Sequence, residues 1–145
     1  VNAAEDEIRR TLDAVPLDLL QFHGDEDAAY CRRFGRPYLK AVRVRSADDI
    51  RRAQAAYPDA RALLLDAYVE GEYGGTGRSF DWSLLPQDLG QNWVLAGGLT
   101  PQNVAAALAA SRAPAVDVSG GVEAAAGIKD AAKITTFAAA VREAA

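Results

Sequence analysis

Residues 62–66 read Ala-Leu-Leu-Leu-Asp, and residues 115–121 read Ala-Val-Asp-Val-Ser-Gly-Gly. Both are short apolar runs with a polar group at or near the end, the pattern of strands in a parallel sheet covered by helices. Side chains alternate along a strand, so Leu64 and Asp66 share one face, while Asp117 and Ser119 share the face of another strand. Leu63, Leu65, Val116 and Val118 then face the helices. An unpaired buried carboxylate is costly, so Asp66 and Asp117 need a partner or a task; the plain alternative is that each caps the loop after it. Parallel α/β sheets are either doubly wound or closed into barrels. A doubly wound sheet calls for a glycine fingerprint after its first strand, and Phe22-His23-Gly24-Asp25 offers one glycine. A barrel gathers polar groups at the C-terminal ends of several strands, as here, so the expected fold is α/β, a (β/α)8 TIM barrel.

The flanking sequence alternates accordingly. Ile8, Leu12 and Val15 recur at helical spacing, and Pro16 ends that helix before the apolar run 17–22. Tyr30, Cys31 and Phe34 share a helix face that stops at Gly35, and 39–44 forms the next strand. Ser46 with Asp49 resembles a capping box ahead of Ile50, Ala53 and Tyr57. Residues 93–96 form a fourth strand, after which Thr100 is expected to cap a helix with Pro101 in its first turn. Residues 115–118 form a fifth strand, and Asp130 opens a last helix with Ile134, Phe137 and Val141. The chain thus supplies about five βα units, expected as a single partial barrel domain over residues 1–145.

Half of the 145 residues are hydrophobic, enough for a real core. The net charge of −4, with no basic stripe, argues against nucleic acid and anionic membranes, yet leaves room for one small phosphorylated ligand at a local anion site. One cysteine, Cys31, excludes an internal disulfide or a cysteine zinc cluster and fits a reducing cytoplasm. It lies on a helix face that packs on the sheet and reads as a core residue, not a nucleophile. No apolar run reaches the roughly 20 residues needed to span a bilayer, and Val-Asn-Ala-Ala-Glu-Asp-Glu (1–7) has neither the basic start nor the apolar stretch expected of a secretory signal. There is no methionine, so the chain is expected to be processed or cropped from a longer reading frame.

Gly97-Gly98 and Ser119-Gly120-Gly121 follow the last two strands. Backbone N–H groups in such loops, helped by a helix N-terminus, can cradle a phosphate; one Gly-Gly pair alone is more often just a turn, and the signal lies in two pairs after consecutive strands with a serine hydroxyl added. Gly74-Gly75-Thr76-Gly77-Arg78-Ser79 lacks the spacing and lysine of a Walker A loop and reads as a mobile loop over the mouth or an ordinary surface loop. His23, the one histidine, reads as a hydrogen-bonded strand-end residue rather than a catalyst.

The strings 19–26 (Leu-Leu-Gln-Phe-His-Gly-Asp-Glu), 40–44 (Lys-Ala-Val-Arg-Val), 63–66 (Leu-Leu-Leu-Asp) and 74–82 (Gly-Gly-Thr-Gly-Arg-Ser-Phe-Asp-Trp) stand in a familiar order. So do 95–104 (Leu-Ala-Gly-Gly-Leu-Thr-Pro-Gln-Asn-Val), 116–123 (Val-Asp-Val-Ser-Gly-Gly-Val-Glu) and Gly127-Ile128-Lys129-Asp130. Together they resemble the phosphoribosylanthranilate isomerase family over the whole chain. The resemblance implies an Amadori rearrangement of N-(5-phosphoribosyl)anthranilate to 1-(o-carboxyphenylamino)-1-deoxyribulose 5-phosphate in tryptophan biosynthesis, without metal or cofactor. It implies that Asp66 is the general acid that protonates the ribose ring oxygen. Gly97, Gly98, Ser119 and Gly120 would bind the substrate phosphate, Asp117 would position the anthranilate side or the opened sugar, and His23 would join the substrate-binding set. The family usually has two serines where this chain has Ser119-Gly120, a loss of one hydroxyl but not of the backbone N–H.

By the same matching, Val1-Asn2 falls at the end of the family's third strand. The first two βα units, the catalytic cysteine that acts as base and an arginine after the second strand are then expected upstream. Five strands do not close an eight-stranded barrel, so a missing N-terminal segment or a second chain is expected to complete it, and the fragment alone is expected to be inactive. Other readings remain: another phosphate-binding barrel enzyme, which would need a strand-end lysine pair or metal-binding histidines, or a noncatalytic half-barrel module.

Overall fold

The computed structural model describes residues 1–67, 85, 89 and 92–144. In chain order the elements are α1 (Glu5–Ala14), β1 (Leu20–Phe22), α2 (Ala28–Arg32), β2 (Tyr38–Val44), α3 (Ala47–Ala56) and β3 (Ala62–Ala67). Then come β4 (Trp93–Leu95), α4 (Val104–Ser111), a 3-10 turn (Gly120–Val122), β5 (Glu123–Ala125), β6 (Ile128–Lys129) and α5 (Ala131–Ala144). Strands β1 to β4 pair in parallel in the order of the sequence, with Phe22 beside Lys40, Ala41 beside Leu64 and Leu64 beside Val94. A doubly wound sheet reverses its strand order at a switch point, whereas a barrel wall adds each strand to the same side. The sequential order here is that of a barrel wall.

The pleat sorts the side chains into two layers. Towards the helices, Val44, Leu63, Leu65 and Leu95 pack with Ile50, Val104 and Phe137. Phe22 and Tyr38 pack with Cys31 and Phe34 beneath Ile8 and Leu12. On the other face Ala41, Leu64 and Ala96 form a separate small cluster. Residues Leu63 to Asp66 of β3 are all buried, so that strand is covered on both sides. Full burial of Ile50 contributes about 1.5–3 kcal/mol.

Local chemistry fixes the helix starts. Asp27 Oδ1 accepts the Tyr30 backbone N–H at 2.7 Å at the head of α2. Asp49 Oδ2 accepts the backbone N–H groups of Arg45 and Ser46 at 3.0 and 2.9 Å, the return half of the capping box before α3. Between sheet and helices lies a buried ion pair, Lys40 Nζ to Glu26 Oε2 at 3.1 Å.

Three expectations need correction. The fifth strand, expected over 115–118, is reduced to one parallel bridge between Leu95 and Val116, with Leu95 donating to the Ala115 carbonyl and Asp117 donating to the Leu95 carbonyl. The chain then turns away at Ser119 into the 3-10 turn, so pairing does not extend. Thr100 does not cap α4: the Asn103 side chain accepts the Thr100 backbone N–H at 2.8 Å, and the helix begins at Val104. The antiparallel hairpin of β5 and β6 lies where no strand was expected. The 74–79 loop falls outside the described residues. Among the described residues, no helix is long and apolar enough to cross a membrane.

Candidate functional site

The C-terminal strand ends open on one cavity of about 920 Å3. Its wall includes His23 after β1 and Asp66 near the end of β3, then Gly97 and Gly98 after β4. Asp117, Ser119 and Gly120 complete the positions singled out in the sequence, and the structure brings all seven to this one cavity. Strand alternation explains the convergence: Asp66 takes the face opposite Leu65, away from the helices.

Asp66 is 5% exposed, and its Oδ2 lies 3.0 Å from His23 Nε2. The other ring nitrogen, His23 Nδ1, lies 3.3 Å from Gln21 Nε2. With the Gln21 amide nitrogen donating to Nδ1, a neutral ring carries its proton on Nε2, facing Asp66 Oδ2. Asp117 differs: it opens to solvent at the rim. Crowding by protein atoms around the mouth, and then the negative charge of Asp66, raise its carboxyl above the usual range; His23 and Lys129 oppose the rise without cancelling it.

The two glycine loops abut. Gly97 and Gly98 have φ of 87° and 63°, the left-handed region that side chains disfavour. A Cβ on Gly121 would lie 1.8 Å from the Leu99 carbonyl oxygen, so the second loop seats directly on the first. Asn103 braces that first loop by donating from Nδ2 to the Gly98 carbonyl at 2.9 Å. Sequence reasoning missed this brace, and also Glu123 and Lys129 on the cavity wall. Lys129 Nζ donates to the Ser119 carbonyl at 3.0 Å, to Ser119 Oγ at 3.2 Å and to Glu123 Oε1 at 2.7 Å. The only advance signal was the Gly127-Ile128-Lys129-Asp130 string, which said nothing about where the lysine reaches. Among the described residues, no group of three or more His, Cys, Asp or Glu side chains is placed to hold a metal ion.

The arrangement joins a buried carboxylate with a hydrogen-bond donor behind it, a second carboxylate at the rim, and two loops offering backbone N–H groups. Such a site can protonate an oxygen of a small ligand while gripping an anionic group some distance away.

The sequence model described as N-(5'phosphoribosyl)anthranilate (PRA) isomerase matches residues 1–140. N-(5'-phosphoribosyl)anthranilate isomerase of Pseudomonas fluorescens is 63% identical over 142 residues, which cover 98% of this chain and 68% of that protein. The crystal structure of phosphoribosyl anthranilate isomerase from Thermotoga maritima superposes with a TM-score of 0.86 at 37% identity, over 99% of this chain and 70% of that one. A phosphoribosyl anthranilate isomerase solved in complex with reduced 1-(o-carboxyphenylamino)-1-deoxyribulose 5-phosphate superposes with a TM-score of 0.77 at 33% identity, over 98% and 68%. The chain therefore belongs to the phosphoribosylanthranilate isomerase family.

Proposed function

We propose that this cavity isomerises N-(5'-phosphoribosyl)anthranilate to 1-(o-carboxyphenylamino)-1-deoxyribulose 5-phosphate, with Asp66 as the general acid. In this reading the Asp66 carboxyl gives its proton to the ribose ring oxygen, the C–O bond breaks, and the opened sugar is left as a Schiff base. A base then removes the proton from sugar C2 to give the enol that becomes the ketose. The observation that carries the assignment is the contact of His23 Nε2 with Asp66 Oδ2 at 3.0 Å. A donor held on one oxygen stabilises the carboxylate that remains once the proton has left from the other.

The phosphate is assigned to the abutting loops at Gly97, Gly98, Ser119 and Gly120, and Asp117 to positioning of the anthranilate side or the opened sugar. Cys31 is not the base: it is buried on the sheet-facing side of α2, away from the cavity, and burial pushes its thiol up to about 11. The parallel strands are assigned to the wall of a (β/α)8 barrel, and the single buried thiol fits the cytoplasm.

The test is the loss of substrate fluorescence with the full protein and with Asp66→Asn. Removal of a general acid lowers kcat about 10²–10⁴-fold. Inorganic phosphate should still bind to the variant, because its loops are untouched. Undiminished turnover by Asp66→Asn would overturn the assignment.

A further inference from the structure

We propose that Lys129 is a positioning residue that turns the Ser119 hydroxyl into a donor aimed at a bound phosphate ester. The inference rests on the functional reading above only in taking that ester to be the substrate's. An ammonium group has three protons and accepts nothing. Lys129 Nζ has three oxygen partners: the Ser119 carbonyl at 3.0 Å, Ser119 Oγ at 3.2 Å and Glu123 Oε1 at 2.7 Å. Because Nζ donates to Oγ, the hydroxyl proton of Ser119 cannot point at Lys129 and is released towards the cavity that Ser119 lines. Gly120 and Gly121 have no side chain, so this is the one hydroxyl of that turn.

The hairpin exists to hold the lysine there. Glu123 and Lys129 face each other in register across β5 and β6, and Glu123 Oε2 accepts the Gly127 backbone N–H at 3.1 Å. The Lys129 hydrogen bond keeps the Glu123 carboxyl below its usual range, so the ammonium charge is matched at close range by an ionised partner. Lys129 therefore acts by direction rather than by net charge, and to bond a phosphate itself it would have to release one of its three partners.

The experiment measures inorganic phosphate affinity of the full protein by calorimetry, alongside substrate kinetics. Lys129→Met and Ser119→Ala should each weaken phosphate binding about fivefold to tenfold, the effect of one hydrogen bond. The double variant should be no weaker than Ser119→Ala, and Lys129→Arg, which keeps donors, should recover part of the loss. KM should rise with kcat within about twofold. Additive losses in the double variant, or native affinity in Lys129→Met, would overturn the proposal. Should Lys129→Met fail to fold, Glu123→Gln decides: it frees the ammonium of its counter-charge, so unchanged or reduced affinity supports a directing role and a gain refutes it. A wild-type protein that binds phosphate in this pattern but does not turn over the phosphoribosyl substrate would sink the functional reading and leave this inference standing.

Discussion

Asp66 and Asp117 are both aspartates at strand ends, yet their surroundings divide them. Asp66 is buried against a donor, while Asp117 sits at the open rim with its carboxyl raised by crowding and by the Asp66 charge. The raised value has a sign for stability. Between the ordinary carboxylate range near pH 4 and its higher folded value, the folded state of Asp117 holds more proton than the unfolded state, so stability falls as the pH rises through that window. Above the window Asp117→Asn should be slightly more stable than the native protein, and below it the two should converge. Thermal melts at pH 7.5 and pH 3.5 measure this, and an equal or lower Tm for the variant at pH 7.5 would remove the repulsion from the account. The period of two was enough to put both aspartates on cavity-facing positions from sequence. It did not join His23 to Asp66, because that contact spans 43 residues and depends on β2 lying between their strands.

At the scale of elements, alternation of apolar runs and helical stripes made β1 to β4 and the main helices legible, because burial on a period of 2 or 3.6 leaves a mark in sequence. The β5–β6 hairpin left none. Glu-Ala-Ala-Ala-Gly-Ile-Lys has no alternating apolar face, and its strands are held by Glu123, Lys129 and Lys133 side chains instead. The Thr100 cap was misread for a related reason: a threonine before Pro-Gln-Asn fits a cap, but Asn103 claims the Thr100 N–H for the loop and uses its other end on the Gly98 carbonyl. Both glycine loops were visible as candidates, whereas their mutual contact was not. That contact yields a prediction. Gly121→Ala would force a Cβ into the Leu99 carbonyl, so the backbone must shift, at a cost of about 1–3 kcal/mol. Because the shift falls between the two glycine loops to which the phosphate is assigned, phosphate affinity should drop along with stability. Urea titration and phosphate calorimetry measure the two effects, and a variant with native values for both would show that the loops do not lean on each other.

Across the molecule, the β1–α2 turn, β2, α3 and the first residues of the chain meet at one buried pair. Lys40 Nζ donates to the Gly24 carbonyl at 2.6 Å and to Glu26 Oε2 at 3.1 Å, and stands 5.5 Å from the Tyr57 ring centre. Glu26 also accepts backbone N–H groups from Asn2 at 2.7 Å and Gly24 at 2.8 Å, while its carbonyl accepts the Tyr57 hydroxyl at 2.9 Å. Burial pushes the Glu26 carboxyl up, but those N–H groups and the ammonium outweigh it and hold the group below its usual range. A depressed folded value means that the stabilisation is complete above about pH 4 and is lost as the pH falls through the lower folded value. Lys40→Met removes the cation and leaves a buried carboxylate with only neutral donors, a change that costs about 3–5 kcal/mol. The deficit should be largest near pH 7 and shrink towards pH 4, because the stranded Glu26 relieves it by taking up a proton that the native pair refuses. Adding Glu26→Gln to Lys40→Met should return part of the stability at pH 7, since no buried charge then remains. Denaturant midpoints for the three variants at pH 7 and pH 4 give the comparison; a deficit independent of pH would mean that lost packing of the lysine stem, not the orphaned charge, holds these four segments together.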